Sequence, residues 1–253
     1  MQQWSYECVT APSGNCIQAE VRNGSGPTFI LIPETWGNAL TRDRLIEALD
    51  PDMNLVCVAL AGQDENWPPP QRPSIPQFSE DILSLTEKLR LGQFFVGGHS
   101  LGGMIAIDLM RFGPERILGV VSIEGWTNWT VKSEAFKGDT SSTLDNSQME
   151  LLQQIRHKLL DRWDPQHRAE YGMMWTKWDG WEILSASDIP VLEIWGDRGH
   201  PSPSRELMRI PDRKNIIVEW IPKASHNLLV EAPERLAQLI NGFISEKSKN
   251  RFS

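Results

Sequence analysis

The sequence predicts an α/β protein: a mainly parallel sheet, covered by helices on both faces and interrupted once by a helical insertion. Three observations predict it. Short apolar, β-prone runs alternate with segments of helical period. Phe94-Phe95-Val96-Gly97 leads through Gly98-His99-Ser100-Leu101-Gly102 into an apolar helical stretch ending at Met110, a strand–turn–helix around G-x-S-x-G. The alternation stops after Ile123 and resumes at Val191, leaving a segment larger than an ordinary connection.

In chain order, Trp4-Ser5-Tyr6-Glu7-Cys8-Val9 and Cys16-Ile17-Gln18-Ala19-Glu20-Val21 alternate about a Pro12-Ser13-Gly14-Asn15 turn and predict a hairpin. Thr28 to Ile32 predicts a short buried strand, Arg42 to Leu49 a helix, and Asn54 to Leu60 a second buried strand. Gly62 to Pro76 predicts a loop, extended at Pro68-Pro69-Pro70. Phe78 to Leu89 has the period of an amphipathic helix, and Ile117 to Ile123 is the strand after the Ser100 turn. Helical pieces fill Thr127 to Ser187, a cap of 127–187 set into a core of 1–126 and 188–253. Val191 to Trp195 and Ile216 to Ile221 complete the sheet. The last helix spans Pro233 to Ile244, with proline in its first turn, and Ser245 to Ser253 is expected to fray.

The chain has 253 residues, enough for one substantial α/β core. It carries 25 basic and 33 acidic residues, a formal net charge of -8, which argues against nucleic acid or an anionic membrane surface as partner. No apolar run approaches the length of a membrane-spanning helix, and the first residues carry neither the basic nor the apolar region of a secretory leader, so a cytoplasmic setting is expected. Cys8, Cys16 and Cys57 form no disulfide framework and no metal pattern; Cys8 and Cys16 face each other across the predicted hairpin as reduced thiols. No phosphate loop, dinucleotide fingerprint or metal-ligand spacing is present, and no cofactor or metal is expected.

The chemistry concentrates at Ser100. Glycines let the backbone turn sharply there and aim the hydroxyl into a cleft, while the following helix directs its N-terminal N–H groups at the same place. A serine hydroxyl needs a base to take its proton, and the base needs an orienting acid. Of 5 histidines, His226 stands directly after the last strand, at the carboxyl end of the sheet where open α/β sheets place their sites. His99 lies inside the turn, with its side chain expected to oppose that of Ser100.

On Gly98-His99-Ser100-Leu101-Gly102-Gly103, Ile189-Pro190-Val191-Leu192-Glu193-Ile194-Trp195-Gly196, and Ser225-His226 followed by Glu231-Ala232-Pro233-Glu234, the chain from Trp4 to Ile244 resembles the α/β-hydrolase superfamily. The resemblance implies the α/β-hydrolase fold, Ser100 as nucleophile and His226 as base. The acid departs from the usual pattern. Most relatives carry Gly-x-x-Asp after the strand that ends here at Gly196, and this chain has Gly196-Asp197-Arg198-Gly199. The alternative position is the end of the strand before the insertion, where Glu124 stands. A glutamate there is similar to the zearalenone lactonases, and an aspartate is found there in cofactor-free quinolone dioxygenases. Glu124 is the expected acid and Asp197 the alternative. The oxyanion hole is expected from the N–H of Leu101 and that of Thr35, with Trp36 next in line, in a loop reading Pro33-Glu34-Thr35 where relatives usually have His-Gly-x.

Tryptophans crowd the cap and its hinges. Trp36, Trp126, Trp129, Trp175 and Trp178 are the candidate substrate-binding walls, and they suit a bulky apolar or aromatic ester or lactone. No cluster of Arg or Lys in the cap points to a polyanionic ligand, and small charged esters are expected to fit poorly. The function expected is hydrolysis of a carboxylic ester or lactone, including a zearalenone-type macrolactone, through an acyl-enzyme. Two alternatives stand beside it: a cofactor-free dioxygenase or lyase of the same fold, and a non-catalytic ligand receptor on the same scaffold. The partner expected is a small apolar molecule; a homodimer is left open.

Overall fold

A computed structural model of the chain describes residues 4–37, 39–63, 66–137, 139 and 143–249. Eight strands form one sheet, with β1 (Trp4–Thr10), β2 (Cys16–Arg22), β3 (Thr28–Ile32), β4 (Asn54–Ala59), β5 (Phe94–His99), β6 (Ile117–Ile123), β7 (Val191–Gly196) and β8 (Ile216–Ile221) in the spatial order β1-β2-β4-β3-β5-β6-β7-β8. β1–β2 and β2–β4 pair antiparallel, and every other pair is parallel. The four central strands are apolar and buried on both faces because helices cover both. α1 (Ala39–Ala48) and α9 (Pro233–Lys249) cover one face; α2 (Ile75–Lys88) and α3 (Leu101–Leu109) cover the other. β1 is an edge strand, and its Trp4 and Tyr6 stay exposed.

The helices differ most from the sequence expectation, and α1 begins at Ala39 rather than Arg42. α2 begins at Ile75 rather than Phe78, because Ser74 accepts the Gln77 N–H and Pro76 sits in the first turn, where its missing N–H costs nothing. Ser245 to Lys249 continue α9 instead of fraying; Ser248 Oγ donates to the Ile244 carbonyl, and Lys247 and Lys249 lie at the helix end that favours cations. Residues 250–253 of the expected tail, like the first three residues, lie outside the described ones. A short helix, α8 (Leu228–Glu231), follows His226, where the sequence reading has only a loop.

Between β6 and β7 lie α4 (Thr130–Glu134), α5 (Asn146–Leu160), α6 (Pro165–Met173) and α7 (Trp181–Ala186). The two ends of this insertion are tied together. Asn128 and Asp179 form an isolated antiparallel bridge, and the Gly180 N–H donates to the Thr127 carbonyl at 2.8 Å. An aromatic cluster seats the insertion on the core: Trp163 and Tyr171 lie 4.8 Å apart, and each meets Trp36 from the loop after β3, at 5.4 and 5.3 Å.

Candidate active site

The site sits where β5, β6 and β7 end. β5 runs into α3 through Ser100, whose φ of 53° and ψ of -114° are strained for a side chain with a Cβ. The strain is held by close packing. A Cβ on Gly98 would lie 2.4 Å from the Ile32 carbonyl oxygen, and one on Gly102 2.2 Å from the same atom, so only glycine fits on either side of the turn. The Ser100 N–H donates to the Ile123 carbonyl at 2.8 Å, and the Glu124 N–H to the Ile194 carbonyl at 2.9 Å. Neighbouring parallel strands thus fix both residues by their backbones. Glu124 itself turns out of β6 at φ 51°.

The side chains converge. Ser100 Oγ lies 3.0 Å from His226 Nε2, and His226 Nδ1 lies 3.1 Å from Glu124 Oε2. With the Nδ1–H donating to the carboxylate, Nε2 is left as the acceptor for the serine hydroxyl. Glu124 is fully buried. Its Oε1 accepts from the Gly196 N–H at 2.8 Å and from Arg198 at 3.0 Å, and its Oε2 accepts from the other Arg198 amine at 2.8 Å. Burial would raise the Glu124 pKa, but His226 and Arg198 outweigh it and hold the carboxyl down at about 2. Arg198 is in turn held by the carbonyls of Gly196 and Asp139, and lies over the Phe136 ring at 3.7 Å. Burial lowers the His226 pKa below its ordinary value.

Asp197 lies elsewhere. Its Oδ1 accepts from the N–H groups of Gly199 and Lys223, at 2.7 and 2.6 Å, which makes it a brace between the turns after β7 and β8. Gly199, at the position where most relatives have aspartate, takes φ 73° with no neighbour within reach of a Cβ.

Thr35 and Leu101 border the cavity beside Ser100. Leu101 opens α3, so its N–H has no acceptor within the helix. The carbonyl of Glu34, trans to the Thr35 N–H across one peptide plane, accepts from Gln63 Nε2 at 2.7 Å and from the Gly37 N–H at 3.1 Å. Those two donors fix the plane so that the Thr35 N–H faces away from them.

The cavity measures about 370 Å³. Trp36, Trp126 and Trp175 line it with Met104; Trp126 meets Trp175 at 5.2 Å and the His226 ring at 5.1 Å. Trp129 and Trp178 correct the expectation that they face the ligand. Trp129 is half exposed at the start of the insertion and does not border the cavity. Trp178 is buried against α3, where its Nε1–H donates to Asp108 Oδ1 at 3.0 Å while Arg111 holds Oδ2, so both oxygens of that buried carboxylate have donors.

His99 also departs from expectation. Its ring borders the cavity rather than turning away, and its Nε2–H donates to the backbone carbonyl of His226 at 2.6 Å. Glu34 Oε2 lies 3.5 Å from its Nδ1. Burial opposes charge on both, yet each favours the other's charged form: the Glu34 pKa is lowered and that of His99 raised. Sequence reasoning missed Arg198, Gln63 and this role of His99. For Arg198, the available signal is its adjacency to the missing family acid.

Residues 23–239 match the Alpha/beta hydrolase family, and the chain belongs to it. It is 24% identical over 262 residues to the pimeloyl-(acyl-carrier protein) methyl ester esterase of Aeromonas hydrophila, covering 88% of this chain and 97% of that one. It is 21% identical over 242 residues to the dihydrolipoyllysine-residue acetyltransferase component of the acetoin cleaving system of Pseudomonas putida, of whose length it spans 64%. Among solved structures, a thermophilic esterase from Thermogutta terrifontis superposes with a TM-score of 0.75 at 22% identity, over 97% of this chain and 99% of that one. Est816, described as an N-acyl homoserine lactone degrading enzyme, superposes with a TM-score of 0.74 at 18% identity, over 94% and 100%. Among the described residues, no helix is long and apolar enough to cross a membrane.

Proposed function

We propose that this hydrolase cleaves a carboxylic ester or lactone with a bulky apolar or aromatic body, through an acyl-enzyme on Ser100. His226 Nε2 takes the Ser100 proton as Oγ bonds to the substrate carbonyl carbon. The carbonyl oxygen becomes an oxyanion facing the N–H groups of Leu101 and Thr35. Glu124 stabilises the imidazolium, which then gives its proton to the departing alkoxide as the C–O bond breaks. A water, deprotonated by His226, attacks the acyl carbon and returns Ser100. In this mechanism Arg198 acts on Glu124, keeping it ionised and immobile, and is a positioning residue.

The observation that carries this reading is the chain of contacts from Ser100 Oγ through His226 to Glu124, at 3.0 and 3.1 Å, on the floor of an indole-walled cavity. An ester-cleaving relative and the fold shared with a lactone-degrading enzyme support it. The strand-end glutamate, similar to that of the zearalenone lactonases, makes macrolactones the first lactones to try.

The experiment is a screen of aryl esters and macrolactones, run beside labelling with a fluorophosphonate. The reading predicts hydrolysis of bulky apolar members and a single phosphonyl adduct on Ser100. Oxygen uptake with a hydroxyquinolone and no adduct would instead mark a dioxygenase, and tight binding without turnover a receptor.

A further inference from the structure

The cavity carries charge that acyl transfer does not use. α5 presents Met149, Leu152, Gln153 and Arg156 to it, a stripe spaced by three and four residues that ends in a guanidinium. Lys132, from α4, borders the same space, with its Nζ 5.7 Å from the centre of the Trp126 ring. Trp126 also meets the His226 ring, so a single indole links an ammonium to the candidate base. Among the described residues, Glu34 is the one carboxylate bordering the cavity, and it faces His99. No carboxylate among the described residues pairs with Lys132 or Arg156. The whole chain has a net charge of -8, so this cationic cavity is a local reversal of its field. Such a reversal at the mouth of a low-dielectric cleft concentrates anions there.

Far apart in sequence, these two residues form no basic cluster that a reader of the sequence meets. The fold gathers them over one cavity. We propose that the substrate is an ester or lactone bearing a single carboxylate on the part that reaches the insertion, with its apolar body between the indoles and its carboxylate held by Lys132 and Arg156. The proposal rests on the acyl-transfer reading only for where the reacting carbonyl lies. It is compatible with the expectation that small charged esters fit poorly, because the charge belongs at the far end of an apolar spacer.

Two p-nitrophenyl probes of equal chain length test it, the octanoate and the monoester of suberic acid, which differ only in a terminal methyl or carboxylate. The proposal predicts a kcat/KM about tenfold higher for the suberate, as expected for one charge-assisted contact. That preference shrinks in about 0.5 M NaCl. In a Lys132→Gln/Arg156→Gln double variant, kcat/KM for the suberate falls about tenfold more than for the octanoate. The matching anilides, suberic acid monoanilide and octananilide, are bound to the Ser100→Ala variant and read by tryptophan fluorescence, which needs no turnover. Tighter binding of the anionic anilide that the double substitution abolishes supports the proposal even if no ester is cleaved, an outcome that would defeat the acyl-transfer reading alone. Ester turnover with equal kcat/KM for both probes, or a preference that survives the double substitution, overturns the proposal and leaves the acyl-transfer reading standing.

Discussion

At the scale of single residues, the site turns on which carboxylate serves His226. Glu124 touches Nδ1, whereas Asp197 spends its acceptor on two backbone N–H groups. Glu124→Gln keeps the shape and removes the charge. By analogy with the Asp-to-Asn change in serine proteases, it is expected to cost on the order of 10³–10⁴ in kcat. It also leaves Arg198 buried without its counter-charge, at a cost of about 3–5 kcal/mol in stability. The kinetics are therefore read on protein shown to be folded by circular dichroism. Asp197→Asn is expected to change kcat less than about threefold, since it keeps an oxygen for the same backbone donors. The reverse ranking restores the usual family arrangement.

The Glu34–His99 pair gives a second residue-scale prediction. Burial lowers the His226 pKa, Glu124 opposes that effect, and the positive charge on His99 adds to it. The acid limb of kcat/KM, which reports His226 in the free enzyme, therefore lies below pH 6.5. Glu34→Gln removes the partner that keeps His99 charged, so the repulsion on His226 is lost and its pKa rises. A pH profile is expected to show the acid limb moving upward in this variant; an unmoved or lowered limb contradicts the coupling.

At the scale of elements, β7 carries a buried acid that the mechanism leaves unused. Glu193 is fully buried opposite Ser122 of β6, and burial pushes its pKa up to about 8, outweighing the lowering by Ser122 and Trp195 beside it. Its folded pKa lies above the unfolded value, so the folded state holds the extra proton. Stability from this group is full below about pH 4.5 and is lost progressively as pH rises to about 8. Glu193→Gln cannot titrate. The difference in Tm, variant minus wild type, is expected to grow between pH 5 and pH 8.5. A difference that stays flat or shrinks with pH would show that Glu193 is ionised in the fold.

Elements were also where the sequence was most legible. Alternating strands and helices, and glycines about Ser100, place every strand of the sheet to within a residue or two. Period and β-propensity are local properties, so local sequence reports them. The errors fell where a local rule was overridden: Pro76 reads as loop yet sits in a helix's first turn, and α9 outlasts its apolar stripe.

At the scale of the whole molecule, legibility declines because the remaining information is tertiary. Trp126 and Trp178 look alike in sequence, but one meets His226 and the other serves Asp108 of α3. Arg198 is one residue from Gly199, where most relatives carry the acid, and only the meeting of β6 and β7 reveals it as the clamp on Glu124. The convergence of Lys132 and Arg156 is of the same kind, a property of the packed insertion and of no segment within it.

The central claim is that Ser100 forms a covalent acyl intermediate. Its most direct test is kinetic, with a hydrolysed aryl ester compared in wild type and Ser100→Ala while substrate binding is followed by tryptophan fluorescence. The account predicts that kcat falls by several orders of magnitude in the variant, with Kd nearly unchanged, and that rapid quenching traps an acyl adduct on Ser100 in the wild type alone. A Ser100→Ala protein that keeps most of its kcat, or a wild type that turns over ester with no adduct on Ser100, would contradict it.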